Sequence, residues 1–199
     1  MPNHPSQHPT EAYWHDPDGD TVPVFQRPGE FDRLIALYRE RKPKRVLEIG
    51  TYYGGTLRQW LKHANKGATV VSVDTYAIPR ADNRRHYAAW CPVGVRLLSW
   101  QGSSHDPHII AHVTASGPYD WIFIDADHTL KAVSQDWQVY SKLCAEAGLI
   151  ALHDILPAPT MPELQVHRLW PKLVKSEART EELIDDSNAS WGGIGIVYR

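Results

Sequence analysis

The run Val46-Leu47-Glu48-Ile49-Gly50-Thr51-Tyr52-Tyr53-Gly54-Gly55-Thr56 does most to limit what this chain can become. It is a short apolar stretch ending in an acid and then a glycine turn. Helical spacing follows at once, with Leu57, Trp60, Leu61 and Ala64 at i, i+3, i+4 and i+7. The order reads strand, tight turn, helix. Glycine at such a turn admits positive φ and close approach of a ligand, and the start of the helix leaves N–H groups unpaired beside it. In an α/β sheet this junction opens a nucleotide-type site.

The rest of the chain repeats the alternation. A helix is expected from Glu30, with Phe31, Leu34, Ile35 and Tyr38 on one face, stopped at Lys42-Pro43. Strands are predicted over residues 45–49, 69–74, 95–101, 121–125, 148–153 and 193–198. Helices are predicted over 54–63, 80–89, 107–113 and 163–174, the last kinked by Pro171. A long helix between them carries Leu130, Val133, Trp137, Tyr140 and Cys144 on one face. Strands that read as continuous Val/Ile/Leu runs, separated by helices, predict a mostly parallel sheet covered on both faces. Right-handed crossovers make it doubly wound. Residues 30–199 are expected to form one domain. Residues 1–29 carry six prolines and little periodicity, so an irregular arm, or a lid over the site, is expected there.

Composition excludes several classes. At 199 residues, 42% of them hydrophobic, the chain supports one sizeable core. A net charge of −2 gives no electrostatic footprint for nucleic acid. No apolar run approaches the ~20 residues that cross a bilayer, and residues 1–10 lack the apolar centre of a signal peptide. Cys91 and Cys144 are too few for a disulfide framework and read as reduced thiols of a cytoplasmic protein. His4, His8 and His15, in the proline-rich leader, are expected in solvent rather than on a metal.

Ligands of open α/β sheets bind beyond the carboxyl ends of the strands. Glu48 and Gly50, then Asp74, then Asp125, then His153-Asp154 fall at successive strand ends. A buried strand ending in an acid costs desolvation energy unless the acid has a partner, so several converging on one rim point to a ligand or metal. Asp74 ends the strand after the glycine turn, where an acid accepts hydrogen bonds from ribose hydroxyls; a helix cap is the alternative. The glycines do not follow G-x-G-x-x-G, and tyrosine holds position 52. A pyrophosphate is therefore disfavoured, and with it an NAD-dependent oxidoreductase. A nucleoside cofactor without phosphate, S-adenosylmethionine, fits better.

Four segments in order carry a family resemblance: the glycine segment Leu47 to Thr56; Gly102-Ser103-Ser104-His105-Asp106; Ile124-Asp125-Ala126-Asp127-His128; and Leu152-His153-Asp154. Over residues 26–198 the chain resembles class I S-adenosylmethionine-dependent O-methyltransferases of the catechol and caffeoyl-CoA type. It is most similar to the branch holding macrocin-type and mycinamicin-type sugar methyltransferases and cephalosporin-hydroxylase-like proteins. The resemblance implies a Rossmann-like, seven-stranded sheet. It also implies that Glu48, Gly50, Thr51 and Tyr52 meet the methionine part of the cofactor, with Gly54 beside them. Asp74 and Thr75 would then lie at the ribose, Ser104 and His105 at the adenine, and Asp125 beside the cofactor.

The same resemblance makes Asp125, His153 and Asp154 ligands of a divalent metal. Oxygen ligands suit Mg²⁺, whereas the imidazole of His153 departs from the family pattern and favours Mn²⁺, Fe²⁺ or Zn²⁺ if it ligates. His128 stands where relatives carry a general base, since an imidazole titrates near neutral pH, and Asp125 would act with it. Asp127 would orient His128 or serve as an alternative ligand. The implied activity is metal-assisted O-methylation of a small hydroxylated acceptor, a sugar or other natural product. A non-catalytic S-adenosylmethionine-binding protein is the alternative, and homo-oligomerisation is left open. Trp14, Tyr52, Tyr53, Trp170 and Trp191 are expected near the rim to stack on an acceptor, beside a loop at 157–162. Trp60, Trp121 and Trp137 are expected in the core.

Overall fold

The structure, a computed structural model, describes residues 13–185 and 189–199. The beginning of the arm, with His4 and His8, lies outside the described residues, and His15 is exposed. Helix α1, Pro28–Arg41, has proline in its first turn, Glu30 near its N-terminus and Arg39 and Arg41 in its last turn, as capping and the helix dipole favour. Lys42 at φ 51° ends it. There follow β1 (Arg45–Ile49), α2 (Gly55–Lys62), β2 (Thr69–Asp74), α3 (Tyr87–Trp90), β3 (Arg96–Gln101), α4 (Pro107–Ser116), β4 (Tyr119–Ile124) and α5 (Leu130–Tyr140). The chain closes with β5 (Cys144–His153), α6 (Val166–Ser176), β6 (Thr180–Leu183) and β7 (Ile194–Tyr198).

The seven strands lie in the order β3-β2-β1-β4-β5-β7-β6. Pairings from β3 to β5 are parallel, and β7 runs antiparallel to both β5 and β6. The sheet is thus mostly parallel and doubly wound in one domain, as expected. Its strand order reverses between β1 and β4, which opens a crevice at their carboxyl ends.

Period-2 alternation decides which face each strand-end group joins. Val46, Trp121, Phe123, Leu149 and Ala151 pack toward α1 and α2, in a core with Phe31, Leu34, Tyr38 and Trp60. Leu47, Ile49, Ile122, Ile124, Ile150 and Leu152 pack on the opposite face with Val113, Val133, Tyr140 and Leu169. Continuing the count, Glu48, Asp125 and His153 all turn to the α1 side.

Several local expectations need correction. Residues 80–89 form two 3₁₀ turns, Pro79–Ala81 and Arg84–His86, ahead of the short α3. Asp82 accepts the backbone N–H of Arg84 at 3.0 Å and binds its guanidinium, a local arrangement that competes with a helix. Cys144 opens β5 rather than continuing α5, because the 3₁₀ turn Ser141–Leu143 ends the helix. β6 is an edge strand with the exposed acids Glu181 and Glu182, so it lacks the apolar alternation that marks a strand; charge on an edge also blocks unwanted pairing. Trp14 is not at the rim: it packs edge-on against Phe31 at 5.0 Å and donates Nε1–H to Asp32 at 2.6 Å. Trp170 is buried against Gly195 and donates to Glu182 at 2.5 Å. Among the described residues no helix is long and apolar enough to cross a membrane.

Candidate active site

Gly50 follows β1 with φ +91°, and a Cβ there would run into the backbone carbonyl of Asp125. Only glycine lets the two sides of the crevice meet so closely. Asp74, at the end of β2, holds the turn beyond it. Its Oδ2 accepts the backbone N–H groups of Thr51 and Tyr52, both at 2.8 Å, and its Oδ1 accepts that of Tyr76 at 2.6 Å. Tyr52 and Tyr76 both occupy the left-handed region, at φ 49° and 51°, so the carboxylate restrains two strained positions. A carboxylate oxygen has two accepting sites; Oδ2 is filled and Oδ1 keeps one. Thr75 is exposed beside it. Gly54, at φ +82°, caps α2. The Pro23 carbonyl of the arm occupies the place a Cβ of Gly55 would need, so the arm covers the first turn of that helix.

Glu48 is fully buried under α2. Its Oε1 accepts from Thr56 Oγ1 at 2.5 Å and Trp60 Nε1 at 2.9 Å, while Oε2 is buried without a partner. Burial pushes this carboxyl up to about 8, against the lowering effect of its hydroxyl and indole partners, and the nearby Asp125 adds to the rise.

A cluster of acids and imidazoles lies at the ends of β4 and β5. His128 Nε2 is 3.0 Å from Asp125 Oδ1 and 3.2 Å from Asp154 Oδ2. These three ligand atoms lie within 4.8 Å of one another. His153 sits deeper and addresses the same two oxygens through Nδ1, at 3.3 Å and 3.6 Å, while its Nε2 faces Glu30 Oε1 at 3.0 Å. Asp154 takes φ 61° to turn its carboxylate inward. Burial pushes both imidazoles down, but the neighbouring carboxylates outweigh it: His128 is raised, and His153 stands well above the ordinary histidine range. Burial likewise pushes Asp125 up, yet His153 and His128 hold it well below the usual carboxylate range. The backbone of His128 is held by Gln165, whose N–H donates to its carbonyl at 2.8 Å.

Two members of this cluster gave no local signal in the sequence. Glu30 on α1 accepts from Arg27 N at 3.0 Å and Gly193 N at 2.6 Å besides facing His153. Gln26, in the arm, donates Nε2–H to Asp125 Oδ2 at 2.7 Å. Both look like ordinary surface or capping residues until the fold brings α1 to the sheet face that Asp125 and His153 share. At the other expected subsite, His105 Nε2 lies 3.0 Å from the buried Asp136 of α5, and the Ser104 carbonyl accepts from Tyr140 at 2.5 Å. Asp136 is a third residue that spacing did not reveal.

Aromatic side chains border the cluster. Phe25 of the arm lies 5.2 Å from Tyr52, 5.6 Å from Tyr53 and 5.1 Å from Tyr13, and Tyr13 is 5.7 Å from Trp191. Ala158 and Met161, in the loop after β5, pack with Tyr13 and Trp191. Trp60 and Trp121 are in the core and Trp137 packs at its edge. A separate cleft of about 330 Å³, lined by Asp18, Asp20, Arg58, Lys62, Ala89 and Trp90, shares no residue with these groups.

The donor set fits a divalent cation: Asp125 Oδ1 and Asp154 Oδ2 are faced by two imidazole nitrogens, His128 Nε2 at 3.0 and 3.2 Å and His153 Nδ1 at 3.3 and 3.6 Å, either of which could complete a ligand set with them. The crevice also fits a nucleoside: Gly50 brings no side chain to the turn, and Asp74 Oδ1 keeps one accepting site.

No curated protein sequence matches the chain. Solved structures share its fold. The Bacillus cereus O-methyltransferase, in complex with S-adenosylhomocysteine, is 22% identical with a TM-score of 0.65, over 86% of this chain and 80% of that one. The O-methyltransferase TomG from Streptomyces achromogenes, involved in tomaymycin synthesis and bound to S-adenosylmethionine, is 16% identical with a TM-score of 0.63, over 94% and 91%. MycE, from the mycinamycin biosynthetic pathway, was solved with Mg, S-adenosylhomocysteine and mycinamycin VI. It is 19% identical with a TM-score of 0.57, over 84% of this chain but 47% of its own. The family described as "Methyltransferase domain" matches residues 47–155, which take in the glycine turn, Asp74, Asp125, His128 and His153-Asp154. The chain therefore belongs to the methyltransferase domain family, with the fold that O-methyltransferases of known structure share.

Proposed function

We propose that this methyltransferase carries the methyl group of S-adenosylmethionine to a hydroxyl of a small acceptor, a sugar or other natural product, with a divalent cation held beside it. The carrying observation is His128 Nε2, placed 3.0 Å and 3.2 Å from two carboxylates at the sheet's switch point. The ligands of TomG and MycE support the cofactor and acceptor class. Glu48, Gly50, Thr51, Tyr52 and Gly54 receive the methionine end of the cofactor. Asp74, through its one open site, and Thr75 receive the ribose. Ser104 and His105 border the adenine, with Asp136 setting the His105 ring.

Asp125, Asp154 and His153 hold the cation, Mn²⁺ or Mg²⁺, with the imidazole drawing preference toward Mn²⁺. Glu30 takes the Nε2 side of His153 and turns Nδ1 toward the carboxylates, the arrangement that orients a ligating histidine. When bound, the cation lowers the pKa of a hydroxyl beside it. His128, whose Nε2–H faces the carboxylates, accepts the hydroxyl proton at Nδ1 as the acceptor oxygen attacks the methyl carbon. The C–O bond forms, the S–C bond breaks, and the sulfonium leaves as neutral thioether. Asp125 and Asp154 then stabilise the imidazolium. Arm residues 13–27 wall the site as a lid, with Phe25 and Tyr13 facing Tyr52 and Trp191.

The test follows labelled methyl from S-adenosylmethionine into a panel of hydroxylated sugars and phenols. Activity with Mn²⁺ or Mg²⁺, loss in EDTA, and a drop of about 10²-fold or more in His128→Ala are expected. Tight S-adenosylhomocysteine binding without transfer to any acceptor would leave a non-catalytic binding protein. Undiminished turnover in EDTA would remove the cation. Thermal stabilisation by NAD and none by S-adenosylhomocysteine would point to an oxidoreductase.

A further inference from the structure

Tyr13 is buried without belonging to either of the two cores that flank the sheet. It is 8% exposed, in a small separate cluster with Ala158, Met161 and Trp191, joined by Phe25 and Leu164. These residues come from the arm, from the chain after β5 and from the chain just before β7, so the cluster sits at the carboxyl-end rim and holds no strand residue. Phe25 and Trp191 meet the Tyr13 ring edge-on, at 5.1 Å and 5.7 Å. Burial, then Tyr52 and Asp154, push its phenol up to about 12. Its hydroxyl is therefore within electrostatic reach of both the glycine turn and the acid–imidazole cluster. An acceptor hydroxyl that attacks beside His128 has to reach the same two groups, since near-attack geometry requires it to lie between them. The chain also supplies a pivot. Trp14 is fixed by Phe31, by Asp32 and by its backbone N–H on the Gln26 carbonyl at 2.8 Å, so residue 13 can swing without loosening the arm behind it.

We propose that the Tyr13 ring holds the acceptor's place. The acceptor subsite is the space this ring fills, shaped for a six-membered ring with a hydroxyl at its end, and an acceptor enters by displacing Tyr13. This rests on the methyl transfer proposed above.

Methyl-transfer kinetics on the full chain test it, with the same panel of hydroxylated sugars and phenols. Tyr13→Ala removes the competitor for the subsite, so the acceptor KM is expected to fall about tenfold while S-adenosylhomocysteine affinity stays within about twofold. An unchanged KM would put Tyr13 outside the subsite, and a higher one would make it a wall of the pocket; either overturns the proposal. Nitration of wild type by tetranitromethane, read by mass spectrometry of the peptide carrying Tyr13, decides the matter even if the variant does not fold. With S-adenosylhomocysteine bound, a saturating acceptor is expected to expose Tyr13 and raise its nitration rate about threefold or more. Slower or unchanged nitration would show the ring covered by the acceptor or untouched by it, and overturns the proposal. Absence of transfer in both wild type and Tyr13→Ala would instead reject the methyl-transfer reading, and the displaced ring with it.

Discussion

Glu30 Oε1 lies 3.0 Å from His153 Nε2, joining two buried side chains 123 positions apart. The contact fastens the first turn of α1 to the end of β5, and it decides which nitrogen of His153 is left for the carboxylates. The carboxylate of Glu30 also takes two backbone N–H groups, from Arg27 and Gly193. An amide in its place keeps one accepting oxygen and turns the other into a donor facing donors.

Glu30→Gln is therefore expected to lower stability by about 3 kcal/mol, within the range for breaking a buried ion pair, or roughly 6–12 °C in Tm for a chain of this size. If Glu30 also orients a metal ligand, Mn²⁺ affinity falls by about 10–100-fold as well. Thermal melts and Mn²⁺ titration separate the two effects. A lower Tm with unchanged Mn²⁺ affinity would make Glu30 purely structural.

Asp74 is expected to matter before any ligand arrives. It accepts three backbone N–H groups and restrains Tyr52 and Tyr76 at positive φ. Asp74→Asn places an NH₂ where an oxygen accepted, at a cost of about 1–3 kcal/mol. Ligand-free denaturant melts measure this. A variant as stable as wild type when ligand-free, but weaker for adenosine-containing ligands, would mean that the side chain serves the ribose alone.

Much of this was legible from local pattern. The glycine turn, the apolar strands and the strand-end groups Asp74, Asp125 and His153-Asp154 could be read because alternation and strand ends are properties of neighbouring residues. With the strands in place, the same alternation turns Glu48, Asp125 and His153 to one face. What meets them there was not legible. Gln26 and Glu30 reach Asp125 and His153 through tertiary packing of α1, and nothing within a few residues of either distinguishes it from an arm residue or a helix cap. β6 is not legible in the sequence because an edge strand of Thr-Glu-Glu-Leu has no apolar face to betray it. Trp14 and Trp170 misled in the other direction: each indole N–H found a carboxylate inside the fold, so a polar handle did not mean a rim position.

Glu48 should make stability pH-dependent. Its folded-state pKa of about 8 lies above the ordinary carboxyl value of 4.5, so the folded chain binds the proton more tightly than the unfolded chain. The stabilising contribution of the neutral acid is complete below pH 4.5 and is lost as pH rises toward 8, in total on the order of 3–5 kcal/mol. Glu48→Gln stays neutral throughout. Its Tm is expected to gain on wild type steadily between pH 5 and 8. Parallel curves for the two proteins across that window would show that Glu48 is ionised in the fold.

A divalent cation bound as proposed would compete with a proton on His153. In the free protein, burial disfavours the charged ring, but Asp154 and Asp125 more than compensate and raise it well above 6.5. A raised histidine contributes stability that is fully present below pH 6.5 and is lost as pH climbs through its folded value. A divalent ion must displace that proton before Nδ1 can ligate, so binding releases it. Mn²⁺ affinity is expected to rise about tenfold per pH unit from pH 6.5 upward, and to flatten once the ring is neutral. Asp125 contributes nothing to this slope, because its depressed pKa leaves it ionised throughout and its own effect is lost only in acid, below 3.8. Calorimetric Mn²⁺ titrations in buffers of different ionisation enthalpy measure the released proton directly. Affinity that is flat between pH 6.5 and 8 would place His153 outside the coordination sphere.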